Sequence, residues 1–462
     1  MSAVLEQSQI QPSPDNVSEL TLPLVHFDLT WLYFHPVHRL LFFEFPCSKA
    51  DFVDILVPKL KQSLLQTLKH FLPLSGNIIY PLDSGRPISR YVVGDSVSLT
   101  IAQCDKDFNH LTAMVPRVAD EFYSCVPQMP PATHSPDSVI FPVLALQATI
   151  FPGHGVCLGF TNHHAIGDAS TIVRFVKAWA TVTRLGGDSQ LIDDKSLPFY
   201  DRSSVEDPEG LDSIYWELMK KSRPMDAPPL NFPLNKVRAT FVLTKDDVQK
   251  LKIFVLSKRP KMTHVSSFTV ICAHVWACSA KAMAASGVDL GDDEPEYFGF
   301  PADCRGRMDP PLPSTYFGNC LAFVKVETTH GKLKGNEGFL IAAESIGEAI
   351  QRTVYNEKGI LDGAEKWPLE FRELSGKRLF GVAGSPRFDL YDADYGWGKP
   401  KKKEDYGWGK PKKYEAANID GDSSMSLCKS RDFEGGFEIG LSRPRNVLDA
   451  FAPFFTISLR NL

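Results

Sequence analysis

The sequence lacks the features that would assign it to several large classes of protein. Its 462 residues carry a net charge of only −5, so neither a nucleic acid nor a membrane surface is indicated as the main partner. The polar start has no apolar core of a signal peptide, and no run looks long and apolar enough to span a bilayer. Nine scattered cysteines include no C-x-x-C pair, which excludes the usual zinc spacing and is typical of free thiols in a reducing compartment. We therefore expect a cytoplasmic protein without a metal site.

The sequence does contain enough apolar material for two folded domains. Hydrophobic residues make up 43% of the chain, and its length exceeds what one core usually holds. Predicted strands and helices alternate through both halves, which favours an α/β fold. Between the halves lies a stretch rich in turn-forming and acidic residues, where the periodicity is lost. We expect a disordered tail over 1–19, an N-terminal domain over 20–185, a crossover linker over 186–233 and a C-terminal domain over 234–462.

The segment FTNHHAIGDAS, residues 160–170, follows a predicted strand and precedes a predicted helix. His164 would lie in the turn, and Asp168 would begin the helix, where its side chain can cap free N–H groups. An H-x-x-x-D pattern is weak by itself, because a chain with twelve histidines gives on the order of one such match by chance. A structural histidine beside a helix cap explains these residues about as well as a catalytic site does.

Three further motifs give that turn a context. They are FPADCRGRMDPPLP (300–313), TYFGNC (315–320) and DYGWGKP, which occurs twice in tandem from Asp394. Together with HHAIGD, and in this order along the chain, they resemble the signatures of the BAHD family of plant coenzyme A-dependent acyltransferases. YFGNC is similar to the branch that acylates the sugars of anthocyanins and related flavonoid glucosides, and above all to its malonyltransferases.

The resemblance implies an α/β fold of two domains similar to chloramphenicol acetyltransferase. Each domain would hold a mixed sheet with flanking helices, and a crossover loop would join them. A tunnel between the domains would admit coenzyme A from one face and the acceptor from the other. The implied protein is a monomer without a tightly bound cofactor, and malonyl-CoA is its co-substrate.

The implied chemistry is acyl transfer from a thioester to a sugar hydroxyl. A neutral imidazole can take the proton of that hydroxyl as its oxygen attacks, which contributes roughly 10²–10⁴-fold to the rate. We assign that role to His164. No acyl-enzyme is required, and the sequence contains no G-x-S-x-G nucleophile motif. The family pattern gives Asp168 a structural role in holding the turn, with Arg305 as its expected partner.

The free carboxylate of a malonyl group calls for a cation at the acyl end of the site. Arg174 is the first candidate because it lies less than two turns beyond Asp168 on the predicted helix. The alternative is an ordinary solvated helix face. Weaker candidates for acyl or sugar contacts form a basic cluster of His35, His38 and Arg39. Asn319, in the TYFGNC segment, is a further candidate for substrate binding or for an oxyanion contact.

A basic stretch before a predicted helix is our candidate for binding coenzyme A. Lys258 and Arg259 precede the helix, and Ser266 and Ser267 lie at its N-terminus, a position that favours phosphate. An ordinary basic loop before a capped helix is the competing interpretation.

The tandem repeat raises a separate question. Eleven residues beginning at Asp394 recur from Asp405 with one change, Lys403 to Tyr414. The resemblance implies a structural role for Asp394 and for the glycines and tryptophan that follow it, Gly396, Trp397 and Gly398. Only one copy can occupy the native position, and the sequence leaves open which one does. Because long surface insertions cost little closure entropy, we expect the fold to survive the extra residues.

Three hypotheses follow for function. The first is a malonyltransferase acting on an anthocyanin glucoside. The second keeps the family but uses another donor, acetyl-CoA or hydroxycinnamoyl-CoA, or another phenolic glucoside as acceptor. The third is a non-catalytic protein that binds coenzyme A, which an intact H-x-x-x-D turn disfavours.

Overall fold

The computed structural model describes residues 2–14, 17–83, 85–189, 193, 196–207, 209–221, 235–288, 290–397, 409–421 and 423–460. Over these residues the chain forms three β-sheets with helices packed on them, so the expected α/β fold is confirmed. The strands are β1 (Ser2–Ile10), β2 (Leu20–Pro23), β3 (Val37–Glu44), β4 (Asn77–Pro81), β5 (Ile88–Tyr91), β6 (Val97–Cys104), β7 (Arg117–Val118), β8 (Thr133–His134), β9 (Ser138–Pro142), β10 (Leu144–Phe151), β11 (Gly155–Asn162), β12 (Lys236–Leu243), β13 (Pro295–Asp303), β14 (Leu321–Thr329), β15 (Leu379–Ala383), β16 (Lys413–Ala416), β17 (Met425–Lys429) and β18 (Phe437–Pro444).

The helices connect these strands and cover the sheets. They are α1 (His26–Leu29), α2 (Lys49–Asp51), α3 (Val57–Leu68), α4 (Phe108–Thr112), α5 (Ala169–Arg184), α6 (Leu211–Met219), α7 (Lys245–Lys258), α8 (Ser267–Ala285), α9 (His330–Lys334), α10 (Gly338–Val354), α11 (Trp367–Glu373) and α12 (Arg445–Arg460). A π-helical turn over Phe52–Leu56 joins α2 to α3.

The first sheet has the strand order β1-β6-β10-β11-β3-β16. Its central strands, β10 and β11, form an antiparallel hairpin and are buried along their whole length because they are apolar almost throughout. Helix α5 follows β11 after a short turn and packs against α3. A five-stranded sheet, β2-β5-β4-β9-β8, completes the N-terminal half.

The expected disordered tail over residues 1–19 is wrong. Strand β1 pairs antiparallel with β6 over its length, from Ser2 opposite Cys104 to Ile10 opposite Val97. Most of its side chains are exposed, so backbone hydrogen bonds at the sheet edge hold the strand in place. Composition gave no sign of this strand, because an edge strand needs few apolar residues.

The second sheet has seven strands in the order β14-β13-β15-β17-β18-β12-β7. Helix α8 lies in the core of this half, between α10 and α12. By length and composition α8 is apolar enough to cross a membrane, which corrects the expectation that the chain has no such run. In the fold, 72% of its apolar window is buried inside the protein.

The two halves exchange strands. Strand β16, from the C-terminal half, pairs with β3 of the first sheet, with Ala416 opposite Arg39. Strand β7, from the N-terminal half, pairs with β12 of the second sheet, with Val118 opposite Val237. The expected division at residues 185 and 234 therefore does not separate two independent sheets.

The expected crossover linker over 186–233 contains a helix. Helix α6 begins after Gly210 and buries Tyr215 and Trp216, and the Tyr215 hydroxyl donates to the carbonyl of Ala364 at 2.8 Å. The helix is short and lies among turn-forming residues, so no periodicity revealed it. Residues 222–233 of the linker lie outside the described residues.

A buried cluster of charged side chains lies where the exchanged strands meet. Glu415 of β16 contacts Arg117 at 2.9 Å and Arg238 at 3.0 Å, and Arg238 also contacts Asp420 at 2.8 Å. None of these side chains is more than 4% exposed. Burial alone would raise the pKa of Glu415, but the charges of the two arginines outweigh it and lower the pKa to about 2. The ionised carboxylate of Glu415 therefore links Arg117 of β7 and Arg238 of β12 to β16.

Replacing Glu415 with glutamine is expected to lower the free energy of unfolding by about 3–5 kcal/mol near neutral pH, since two buried guanidinium groups lose their shared carboxylate. Because the pKa is depressed in the folded state, this stabilisation is present above the unfolded-state value of 4.5 and is lost as the pH falls toward 2. Denaturant unfolding at about pH 7 and about pH 3 measures both effects.

The exposed Glu434 supplies the matched control. Its replacement by glutamine should change the free energy of unfolding by no more than about 0.5 kcal/mol. A Glu415→Gln protein that is as stable as this control at neutral pH would contradict the role of the cluster.

Candidate functional site

His164 and Asp168 lie in the turn that joins β11 to α5. A short 3₁₀ helix spans His164–Ile166, and Asp168 then caps α5 by accepting a hydrogen bond from the Thr171 N–H at 3.2 Å. A Cβ at Gly167 would lie 2.7 Å from the Thr171 side chain, so the turn requires glycine there. The strand–turn–helix context predicted from the sequence is present.

The other half of the chain holds the carboxylate of Asp168. Arg305 donates from Nη1 to Oδ2 of Asp168 at 2.7 Å, and the Cys320 N–H donates to the same oxygen at 3.2 Å. Both charged side chains are buried, and their pairing is the one expected from the sequence. Within the described structure, Nδ1 of His164 has no hydrogen-bond partner, so Asp168 does not orient the imidazole as the acid of a triad would.

The TYFGNC segment fastens the same turn. The Gly318 carbonyl accepts from the Thr171 hydroxyl at 3.0 Å, and Nδ2 of Asn319 donates to the His164 carbonyl at 3.0 Å. Nδ2 of Asn319 also donates to Asp28 at 3.0 Å, and the residue is fully buried. The expectation that Asn319 binds substrate is therefore corrected: both of its amide hydrogens are used to position the backbone that carries His164.

The His164 ring lies in an aromatic environment. It stacks on Trp31 with centroids 4.0 Å apart, and Phe34 meets it edge-on at 5.4 Å. Burial and, after it, the nearby charge of Arg39 lower the pKa of His164 to about 3. The imidazole is therefore neutral at physiological pH and able to accept a proton. Trp31 and Phe34 were not among the predicted site residues, although the aromatic run WLYF was the available signal.

His164 lies in the wall of a cavity of about 1840 Å³ formed by residues of both halves. This volume exceeds the range of roughly 300–1,000 Å³ typical of a site for one small molecule. The wall includes Trp31 and Arg39 from the N-terminal half and Phe300 and Phe371 from the C-terminal half. The cavity is therefore large enough for two substrates to meet at the histidine.

Two members of the predicted basic cluster, His38 and Arg39, lie on opposite faces of β3. Arg39 is in the cavity wall, and its Nη1 donates to Oδ1 of Asn162 at 3.0 Å. His38 points the other way, where it is 4% exposed and bonds the Thr161 hydroxyl at 2.8 Å. Alternation along β3 places the neighbouring side chains on opposite faces, so the expected substrate contact of His38 is corrected to a structural one.

Two other expected substrate contacts are not among the described residues of the cavity wall. His35 stacks on Phe34 with centroids 4.2 Å apart. Arg174 donates from Nη2 to the Ser314 carbonyl at 2.8 Å. Ser170, one turn earlier on the same face of α5, does line the cavity. Arg174 therefore lies close to the site, but its guanidinium is engaged outside the wall.

The residues expected to bind coenzyme A are also divided. Ser266 and Ser267, at the N-terminus of α8, line the cavity, where free backbone N–H groups favour phosphate. Arg259 forms ion pairs at 3.1 Å with two glutamates, and the exposed Lys258 is not among the described residues of the wall. This geometry supports a role in coenzyme A binding for Ser266 and Ser267, but not for Lys258 and Arg259.

One group of side chains has the spacing of a metal site. His26 of α1, Asp207 and Asp212 lie together at the start of α6. Nδ1 of His26 is 2.8 Å from Asp212, and the Asp207 carboxylate accepts from backbone N–H groups of α6. These contacts already explain the group as a helix cap with a hydrogen bond between His26 and Asp212.

The DYGWG residues support β3 and do not belong to the described cavity wall. Asp394 accepts from the Gly396 N–H at 2.8 Å, and Gly396 has φ of +68°, a conformation that favours glycine. Trp397 is 5% exposed and packs on Phe43 of β3 with centroids 4.7 Å apart. Gly398, expected to share this role, lies outside the described residues.

In the described structure, parts of the two copies together form a single motif. The first copy supplies Asp394–Trp397, the second supplies Gly409–Glu415, and the eleven residues between them, 398–408, lie outside the described residues. The Gly409 carbonyl accepts from the Tyr395 N–H at 3.0 Å, and a Cβ on Gly409 would lie 2.9 Å from the Trp397 nitrogen. Gly409 therefore stands where a single motif would have its last glycine.

The comparisons with known proteins identify the family of the chain. A family model described as "Transferase family" matches residues 3–404. The chain belongs to this family, the BAHD acyltransferases. It is 47% identical to phenolic glucoside malonyltransferase 1 of Nicotiana tabacum over 92% of each chain. It is 42% identical to malonyl-coenzyme:anthocyanin 5-O-glucoside-6'''-O-malonyltransferase of Salvia splendens, over 99% of this chain and 96% of that one.

Among solved structures, vinorine synthase has the same fold. Its TM-score is 0.70 at 20% identity, with 99% of this chain and 98% of that chain covered. The two-domain architecture implied by the sequence motifs is thus confirmed.

Deleting residues 398–408 is expected to preserve the fold, because Trp397 and Gly409 are already in contact and the joined chain restores a single motif. The melting temperature should stay within about 3 °C of that of the full chain, since eleven extra residues between the same two ends change the closure entropy little. Differential scanning calorimetry of both proteins measures this.

The control is Trp397→Ala made in the shortened protein, where no second copy is present. It should lower the free energy of unfolding by about 3–5 kcal/mol. Failure of the shortened protein to fold would mean that the described residues are not a complete motif.

Proposed function

We propose that this protein transfers a malonyl group from malonyl-CoA to a sugar hydroxyl of a phenolic or anthocyanin glucoside, with His164 as the general base. The malonyltransferase relatives support the choice of donor and acceptor class. The observation that carries the mechanism is the neutral His164 ring in the wall of a cavity that both halves of the chain form.

The transfer needs one base and no covalent intermediate with the protein. Nδ1 of His164 is buried, so we expect Nε2 to face the acceptor. Nε2 takes the proton of the sugar hydroxyl as its oxygen attacks the thioester carbonyl carbon. The tetrahedral intermediate then loses its C–S bond, and the imidazolium returns the proton to the coenzyme A sulfur. The products are the sugar ester and free coenzyme A, and His164 is neutral again.

The contacts around the turn prepare the base for this role. The Asp168–Arg305 pair and the bond from Asn319 to the His164 carbonyl fix the backbone, and Trp31 fixes the plane of the ring. A base held in place before substrate arrives loses little entropy when the reaction begins. Selectivity for malonyl over acetyl requires in addition a cation near the reacting carbon, for which the sequence offers Arg174 and Arg39.

Replacing His164 with alanine is expected to lower kcat by roughly 10²–10⁴-fold, since the imidazole that takes the hydroxyl proton is removed. Thiol release from malonyl-CoA in the presence of an anthocyanin or phenolic glucoside measures the rate. The matched control is His163→Ala, because His163 accepts from the Ala165 N–H at 3.2 Å and so acts on the backbone. That variant should stay within about tenfold of the wild-type rate. An unimpaired His164→Ala protein would refute the assignment of the base.

We expect kcat/KM to show no loss of activity near neutral pH from protonation of the base. A depressed pKa keeps His164 unprotonated, and hence active, until the pH falls toward about 3. We therefore expect kcat/KM to be flat on the acidic side from about pH 8 to about pH 5, where an ordinary histidine would lose activity near 6.5. Initial rates across this range, with tryptophan fluorescence to show that the fold persists, test this. An acid limb near 6.5 in a protein whose fold persists would contradict the low pKa of His164.

A further inference from the structure

We propose that Arg39 binds the free carboxylate of the acyl donor and so selects malonyl-CoA, an inference that rests on the proposed function. The guanidinium lies in the same cavity wall as His164. It is also close enough for its charge to act on that ring. Arg39 is thus a cation at the reacting end of the cavity.

Arg39 is held in place without being neutralised. Its Nη1 donates to the amide oxygen of Asn162, and no carboxylate of the described residues lies within ion-pair distance of it. The carboxylate of Asp168 reaches it only through space and is itself bonded to Arg305. An incompletely hydrated cation without a counter-ion is costly, and a bound carboxylate would remove that cost.

Strand β16 places a second side chain beside this guanidinium. Ala416 is opposite Arg39 in the β3–β16 ladder, and Tyr414, two residues earlier, lies on the same face. Tyr414 and Ala416 both line the cavity. Burial raises the pKa of Tyr414 to about 12, so the phenol stays neutral and can orient the guanidinium without cancelling its charge.

The length of a malonyl group distinguishes Arg39 from Arg174. One methylene separates the carboxylate from the carbonyl carbon that the sugar attacks, so the carboxylate must lie close to the base. Arg39 shares the cavity wall with His164, whereas the Arg174 guanidinium bonds the Ser314 carbonyl outside that wall. The arrangement assigns the carboxylate to Arg39, with its planar fork suited to bidentate binding.

The test compares two donors in three proteins. We measure kcat/KM with malonyl-CoA and acetyl-CoA, and Kd for both donors by calorimetry, in the wild type, Arg39→Gln and Arg174→Gln. The malonyl-to-acetyl ratio of kcat/KM should fall roughly 100-fold in Arg39→Gln, because the malonyl carboxylate loses its charged partner. It should change less than about threefold in Arg174→Gln. Arg90→Gln, at a surface pair with Glu19, controls for loss of an arginine as such.

Each result decides the matter. An unchanged ratio in Arg39→Gln, or a ratio that collapses only in Arg174→Gln, overturns the proposal. If Arg39→Gln does not fold, Arg39→Lys takes its place, and a ratio lowered roughly tenfold supports the need for the guanidinium fork. If the wild type transfers no malonyl group, the proposed function fails. The ratio of the Kd values for malonyl-CoA and acetyl-CoA then still tests the role of Arg39, because Arg39→Gln must lose the binding preference for malonyl-CoA.

Discussion

The ion pair between Asp168 and Arg305 is the contact on which the geometry of the site depends. Its members lie 137 positions apart and come from different halves of the chain. Two buried charges each cost several kcal/mol of desolvation, which the pair recovers only with further hydrogen bonds. Asp168 receives them from the N–H groups of Thr171 and Cys320, and Arg305 gives its own to the carbonyl of Gly318. Together these bonds fix the position of the β11–α5 turn, and with it the position of His164.

A second chain of contacts reaches the base from the opposite side. Asp28 of α1 accepts from both the backbone and the side-chain nitrogen of Asn319, which in turn donates to the His164 carbonyl. Helix α1 leads directly to Trp31, the ring that stacks on the imidazole. Helix α1 therefore holds the backbone of His164 through Asp28 and Asn319, and it also positions Trp31 against the imidazole ring. This explains why a histidine with a depressed pKa still opens onto the cavity: one ring nitrogen is buried, and the arrangement leaves the other for substrate.

The sequence predicted the features that depend on local pattern. Strand β11, the capped turn at Asp168 and helix α8 follow from apolar runs and turn residues. The pairing of Asp168 with Arg305 came from motifs and not from spacing. Features that depend on long-range pairing could not be predicted: an edge strand such as β1 is held by backbone bonds, and the exchange of β7 and β16 leaves no mark in composition. His38 was grouped with Arg39 for the same reason, since only their place in β3 shows that the two side chains lie on opposite faces.

In the tandem repeat, a single position determines which of the two copies forms strand β16. The first four motif positions are identical in both copies, so nothing in Asp394–Trp397 favours one copy over the other. The copies differ only where the second has Tyr414 and the first has Lys403. Position 414 is 7% exposed in a strand that is buried throughout, and it faces the guanidinium of Arg39. A lysine there would bury a second positive charge beside the first without a partner, at a cost that a neutral phenol avoids. The second copy must therefore supply strand β16. The glycines and the tryptophan are the same in both copies, so the electrostatics of the cavity wall determine which copy forms the strand.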